Sequence, residues 1–278
     1  MNTPTQSVDH WSKEELLLTV SIVTFRPDII ELRRTLDSLR HALLEVASND
    51  FLISVVDNSE ESFISELLDS GYADLNFRLI RGQGNVGFGS GHNLAFDQLG
   101  KFHLVLNPDI QMSPNALKDA IAFLEENLNC GLITPYAEWP NGQRQYLCKR
   151  FPSVLDLLLR GFAPAHIRTL FKERLNHYEM QNETQDIVYW GPTIVSGCFM
   201  LFRSSVLAKL KGFDDRFFLY FEDFDLSLRV NHISNTVYLP NVKIIHQGGN
   251  ASKKGFWHIW QFIKSALRFY RIHGLKLF

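Results

Sequence analysis

The sequence predicts an α/β fold with a mostly parallel sheet and helices on both faces. Three observations carry this. Short apolar runs alternate, through the first half, with stretches whose apolar residues step by three and four. Thr24, Asp57, Asn58, Asn107 and Asp109 fall where those runs end, and open α/β sheets bind ligands at the carboxyl ends of their strands. The chain has 278 residues, 45% hydrophobic and 21% charged, enough to bury a substantial core.

"LLLTVSIVTF" (16–25) reads as a buried parallel strand. After Pro27 and Asp28, Ile29, Leu32, Leu36, Leu39, Leu43 and Val46 mark an amphipathic helix. "FLISVVD" (51–57) is a second strand, followed by a helix at 61–69 and a short strand "FRLIR" (77–81). A glycine-rich loop leads to a helix near 90–99, and "FHLVLN" (102–107) is a fourth strand, stopped by Pro108. Ser113-Pro114 opens a helix to about 127, with Ser113 as its cap, and "CGLITP" (130–135) is a fifth strand. Residues 136–188 lack periodicity and read as a loop-rich insertion. "YWGPTIVSGCFMLFR" (189–203) reads as strand, residues 222–233 as helix, and "TVYLP" and "VKIIH" as two short strands. The organisation expected is a polar tail at 1–15, one domain over 16–250 and a C-terminal amphipathic helix in 251–278.

The net charge of −2 gives no global field for nucleic acid. Cys130, Cys148 and Cys198 form no metal or disulfide pattern, which fits a reducing compartment. The polar start is no signal peptide, and no apolar run approaches the roughly 18 residues that span a bilayer. From Lys253 onward come six Lys or Arg, seven aromatics and no acid. Phe256, Ile259, Trp260, Ile263, Leu267 and Tyr270 form an apolar stripe there, beside Lys253, Lys254, Lys264, Arg268 and Arg271. Such a helix either lies on an anionic membrane surface or packs on the domain.

Several motifs carry chemistry. "GQGNVG" (82–87) matches G-x-G-x-x-G, with Asp109 about 20 residues on. It reads as a nicotinamide site, as a loop approaching another nucleotide, or as a tight turn. Asn85 and Asn93 add amides suited to a base or sugar. Asp57 suits ribose hydroxyls or a local turn. Asp109 offers a hard carboxylate for Mg²⁺ or Mn²⁺ beside phosphates, or belongs to an Asn-Pro-Asp turn. His246 ends a strand as a metal ligand, an acid–base group or a structural histidine. In "YFEDFDLSLR" (220–229), Asp225 and Arg229 pair at i, i+4, and Glu222 sits in a first helical turn. Glu222 and Asp225 share a helix face, with Asp223 turned away. Asp223 lacks a local cation and is poised to take a proton from a substrate.

Taken in order, "VSIVTF", "VVDNS", "GNVGFGSGHNLA", "LVLNPDI", "VSGCFMLFR", "GFDDRFFLYFEDFDLSLR" and "IIH" resemble the family 2 glycosyltransferases. The likeness is strongest to the bacterial rhamnosyltransferases, and it covers residues 18–250 apart from 136–188. The resemblance implies the GT-A fold, with its Rossmann-like sheet. It implies that Thr24 and Asp57 hold the nucleotide of a sugar donor and that Asn85, Gly87 and Asn93 line its pocket. "NPD" stands at the family's D-x-D position, so Asp109 would bind the divalent metal on the diphosphate, with Asn107 in place of the first acid. His246 matches a late metal-binding histidine, Gly197 would let backbone approach the donor sugar, and Asp223 matches the catalytic base.

The chemistry implied is inverting transfer from dTDP-rhamnose, or from UDP-GlcNAc, UDP-Gal or UDP-Glc, to a glycan or lipid-linked acceptor. The expected setting is the cytoplasm, peripheral on the inner face of a bacterial plasma membrane. A Rossmann-type oxidoreductase would leave the acids of 222–225 and His246 idle. A non-catalytic sugar-nucleotide-binding protein predicts binding without turnover.

Overall fold

The structure, a computed structural model, describes residues 16–46, 48, 50–61, 64–248 and 255–278. The expected polar tail at 1–15, and Lys253 and Lys254, lie outside the described residues. Strands β1 (Leu18–Thr24), β2 (Phe51–Asp57), β3 (Phe77–Ile80) and β4 (Phe102–Leu106) form a parallel block. Helices α1 (Ile29–Leu44), α2 (Ile64–Gly71) and α3 (Phe88–Asn93) connect them. Asp28 caps α1 by accepting the N–H groups of Ile30 and Glu31, which its short carboxylate reaches at a helix start.

After β4 come β5 (Ile110–Met112), α4 (Ala116–Glu126) and β6 (Cys130–Glu138). The segment expected to be loop-rich is in fact ordered as β7 (Arg144–Gln145), β8 (Cys148–Lys149), α5 (Val154–Phe162), α6 (Ala165–Leu170) and α7 (Lys172–Tyr178). These helices are short, and α5 rests on a local device: Ser153 and Asp156 form a reciprocal capping box. The strand expected at 189–203 is three pieces, β9 (Tyr189–Trp190), β10 (Ile194–Val195) and β11 (Phe199–Arg203), interrupted at Gly191-Pro192 and Ser196-Gly197. The chain ends with α8 (Ser204–Leu210), α9 (Glu222–Asn231), β12 (Asn235–His246) and α10 (Phe256–His273). "TVYLP" and "VKIIH" are one strand, whose register with β6 shifts between Leu239 and Lys243, around Pro240.

The main sheet runs β3-β2-β1-β4-β11-β6-β12-β5. It is mostly parallel, as expected. The exceptions on this path are β11, antiparallel to β4 and β6, and β5, antiparallel to β12. Alternate residues of β11 face opposite ways, so Phe199 and Leu201 join the core with α1 and α4, while Met200 and Phe202 join the core with α8 and α9. Both faces of the sheet are thus covered.

Helix α2 runs over Ile64–Gly71 rather than 61–69, and two further helix boundaries differ from expectation. The helix after the glycine loop ends at Asn93, and the chain continues to Phe96 in tighter bonds between residues three apart. Helix α4 begins after Asn115 rather than Ser113, with no side-chain cap. Helix α10 packs on the domain, and of the stripe read from the sequence Tyr270 is the member it buries. Its buried residues are Ser265, Phe269 and Tyr270, with Phe262 and His273 half-buried beside them, and Ser265 donates to the carbonyl of Leu219. Phe256, Trp260, Ile263 and Leu267 face outward.

Candidate functional site

The site lies at the carboxyl edge of the sheet. β1 and β2 end side by side, Thr24 paired with Asp57, so both side chains meet at the rim. The Thr24 hydroxyl donates to Asp57 Oδ1 at 3.0 Å, and the Ser59 N–H adds a bond at 3.1 Å. Asp57 Oδ2 is buried and accepts no hydrogen bond. A cavity of about 400 Å³ opens here, lined by Thr24, Asn58, Asn85, Gly87, Phe218 and Trp257 among others. Asn58 donates to the Gly87 carbonyl at 3.0 Å, and Asn85 accepts the Gly87 N–H at 3.1 Å. Gly87 has φ of 89°, and a Cβ there would sit 2.2 Å from the Phe218 carbonyl oxygen. The glycine is therefore required both by the left-handed backbone and by close approach of the 213–221 segment.

Not every expected residue reaches this cavity. Asn93 spends its amide on the backbone of Phe213, donating to its carbonyl and accepting its N–H, each at 2.9 Å. Gly197 approaches Asp223, not the donor cavity: its N–H donates to Asp223 Oδ2 at 2.9 Å, and a Cβ would stand 3.1 Å from Asp223 Cβ. Asn107 holds its backbone N–H on Cys198 and keeps its buried Oδ1 without a hydrogen bond.

Asp109 and His246 are brought together by a strand pair too short to read from sequence. β5 runs antiparallel to the end of β12, pairing Ile110 with His246. Asp109 Oδ1 lies 3.6 Å from His246 Nε2, and it is buried without a hydrogen bond. His246 Nδ1 is 2.7 Å from Gln145 Oε1, and its ring stacks on Trp139 at 6.5 Å. An outer-shell acceptor on one ring nitrogen aims the other, as at metal-binding histidines. Among the described residues no three His, Cys, Asp or Glu side chains group to hold a metal. Asp109, His246 and the orphaned Asn107 oxygen nonetheless fit a divalent ion that takes its remaining ligands from phosphate and water.

A second cavity, of about 310 Å³, is lined by Glu222, Asp223, His246, Lys149 and Arg160, with Trp139, Tyr146 and Phe262. Asp223 accepts N–H groups from Gly197 and from Phe224, the latter at 3.0 Å. Burial pushes its carboxyl up to about 6, against the pull of those bonds and of Lys149. Glu222 is pushed well up too, first by burial and then by Asp223, and its buried Oε2 has no hydrogen bond. Asp225 is a different case: Arg229 Nε binds it at 2.7 Å, and His273 Nε2 lies 2.8 Å from its other oxygen. The expected Asp225–Arg229 pair is present, and Glu222 lines the cavity together with Asp223.

Residues 20–211 match the model of Glycosyl transferase family 2. The chain belongs to this family. Among its family 2 relatives is the N-acetylglucosaminyl-diphospho-decaprenol L-rhamnosyltransferase of Mycobacterium tuberculosis, 26% identical over 196 residues. That match takes in 64% of this chain and 61% of the mycobacterial one, so the chain spans about three fifths of that relative. Rhamnosyltransferase WbbL of Escherichia coli K12 is 25% identical over 250 residues, 84% of this chain and 88% of that one. Among solved structures, GalNAc-T7 with UDP, GalNAc and Mn²⁺ superposes with a TM-score of 0.61 at 15% identity, covering 84% of this chain and 43% of that one. The mannosyltransferase PcManGT of Pyrobaculum calidifontis, with GDP-Man and Mn²⁺, gives 0.59 at 17% identity, covering 90% and 64%. These likenesses bear out the GT-A fold.

In this family 2 chain the segment before Asp223 is strained. Tyr220 and Phe221 have φ of 71° and 67°, a region bulky residues rarely adopt. The strain is held by rings: Phe221 meets Phe262 at 5.1 Å and Phe269 at 5.3 Å. Nothing in the sequence assigns a role to Trp139, Lys149, Arg160 or Trp257, and Asn58 is placed at a ligand-binding strand end without one. The first four arrive from segments without periodicity or from α10.

Proposed function

We propose that this protein is an inverting, metal-dependent glycosyltransferase. It transfers rhamnose from dTDP-rhamnose to a hydroxyl of a lipid-linked or polysaccharide acceptor in cell-surface glycan synthesis. The observation that carries the reading is Asp223, a carboxylate without a side-chain cation partner on the wall of a cavity that also holds His246. The names of the mycobacterial and E. coli relatives support the sugar. Asp223 takes the proton of the acceptor hydroxyl as its oxygen bonds to the anomeric carbon. The bond from that carbon to the diphosphate oxygen breaks on the opposite side, with its electron pair leaving on the nucleoside diphosphate. Thr24 and Asn85 hold base and ribose in the 400 Å³ cavity, with Asp57 beside its wall on the Thr24 hydroxyl, and Gly87 admits the backbone close to them. Asp109 and His246, with Asn107 beside them, would hold a divalent cation, Mg²⁺ or Mn²⁺, which would supply positive charge against the leaving diphosphate. Glu222, neutral when protonated, spares Asp223 a second buried charge.

No helix among the described residues is long and apolar enough to cross a membrane. The exposed Phe256, Trp257 and Trp260 at the start of α10 support peripheral attachment to the inner face of the plasma membrane.

The deciding experiment titrates nucleotide sugars with Mg²⁺ or Mn²⁺ and reads thermal protection. dTDP-rhamnose should raise the melting temperature more than UDP-GlcNAc, UDP-Gal or UDP-Glc. A larger shift with a UDP-sugar would overturn the donor, and no shift with any would overturn the class.

A further inference from the structure

The cavity at Asp223 has a neighbour. Phe262 of α10 walls it on one side, in contact with Tyr220 at 5.8 Å and Phe221 at 5.1 Å. On its other side Phe262 meets Phe162 of α5 at 6.3 Å and helps line an apolar groove of about 640 Å³ between α5 and α10. Leu157 and Leu158 of α5 and Ile263 and Leu267 of α10 form its sides. Leu158 is 52% exposed and Leu267 67%. Apolar surface left open in this way marks a binding face.

Cations stand at the junction. Arg160, on the same helix as Leu157 and Leu158, lines the Asp223 cavity together with Lys149. Glu179 Oε1 is 2.9 Å from Arg160 Nε and 3.9 Å from Lys149 Nζ. One carboxylate thus answers two cations within 4 Å, and among the described residues the second of the pair is answered only by the acids across the same cavity. Arginine and lysine in this setting suit phosphate oxygens. Asp223, Lys149 and Arg160 share the wall of one cavity, and Phe262 joins that cavity to the apolar groove. That juxtaposition of base, cations and apolar surface fits one molecule that carries a sugar hydroxyl, a diphosphate and a hydrocarbon chain.

We propose that the α5/α10 groove takes the isoprenoid chain of a sugar-diphosphate-lipid acceptor, with Lys149 and Arg160 on its diphosphate. The assignment rests on reading Asp223 as the acceptor base. A folded protein partner would explain the groove but not the cations inside the adjoining cavity.

The test uses the full chain without sugar donor, with excess dTDP filling the nucleotide cavity. Inorganic diphosphate, farnesyl diphosphate and farnesol are titrated by calorimetry. Farnesyl diphosphate should bind at least about tenfold more tightly than inorganic diphosphate. Leu158→Glu and Leu267→Glu, both at exposed positions, should each erase most of that gain and leave inorganic diphosphate unaffected. Arg160→Gln should weaken both diphosphates and leave farnesol alone. Equal binding of the two diphosphates, or a gain that survives both groove variants, overturns the proposal. So does a result in which the groove variants lose only their pelleting with phosphatidylglycerol vesicles, since the face would then be a membrane contact. The two readings fail separately. Chain-dependent binding without sugar transfer would sink the enzyme reading alone, and transfer without chain-dependent binding would sink the groove alone.

Discussion

The shell behind the site and the rim of the sheet use buried acids in opposite ways. In the shell, Asp156 binds Arg174 at 2.7 Å and closes the cap of α5 through Ser153, while Asp225 is held between Arg229 and His273. At the rim, Asp57, Asp109 and Glu222 each keep a buried oxygen with no hydrogen bond, and Asp223 has only backbone N–H groups. A buried carboxylate without a cation is costly. Open groups of this kind, gathered along one rim, are what a bound ligand would satisfy under the proposed function.

Asp223→Asn breaks that contrast most sharply. Removing the base should lower transfer by roughly 10²–10⁴-fold. Donor protection against thermal unfolding should stay near wild type, because Asp223 lies outside the nucleotide cavity. Near-normal turnover would return Asp223 to the structural class.

Asp225→Ala is the mirror experiment. It strands Arg229 and His273, and the unfolding free energy in urea should fall by about 3 kcal/mol or more. A loss below about 1 kcal/mol would mean that the carbonyls of Leu210 and Gly212, which Arg229 also binds, suffice for it.

Asp109→Asn sharpens the comparison at the metal pair. It keeps the shape and removes the charge, so the Mn²⁺ concentration needed for donor protection should rise by about 10–100-fold. Protection by the nucleoside alone should not change. An unaltered Mn²⁺ dependence would leave Asp109 as a turn residue.

The rim was legible where chemistry follows directly from a strand end. β1 and β2 are unbroken apolar runs, so Thr24 and Asp57 could be set at their ends without knowing the sheet order. The Asp225–Arg229 pair follows from helix geometry alone. Long-range assembly was not legible. β5 has three residues, and only its pairing with β12 brings Asp109 to His246. Asn93 looked like a pocket amide, but Phe213 takes both of its groups from a distant segment. α10 carries apolar residues on more than one face, and periodicity does not say which face the domain buries. Lys149, Arg160 and Glu179 meet across β8, α5 and the end of α7, and spacing along the chain predicts no such meeting.

The smallest expected effect is a pH-dependent one, and it separates the cost of an open carboxylate from its use. The carboxyl of Asp223 ordinarily titrates at 3.8, and burial raises it to about 6 in the folded protein. Between those values the folded chain keeps a proton that the unfolded chain has released. Wild-type stability therefore falls as pH rises across this window and levels off above it. Asparagine carries no such charge, so Asp223→Asn should match wild type near pH 4 and exceed it by about 1–3 kcal/mol at pH 7.5. Transfer by the wild type should move the opposite way, rising through pH 6 as the base ionises. Urea midpoints across pH 4–8 and initial rates over the same range read the two limbs. A stability gap independent of pH would mean that the charge on Asp223 costs the fold nothing, and the contrast between rim and shell would then rest on geometry alone.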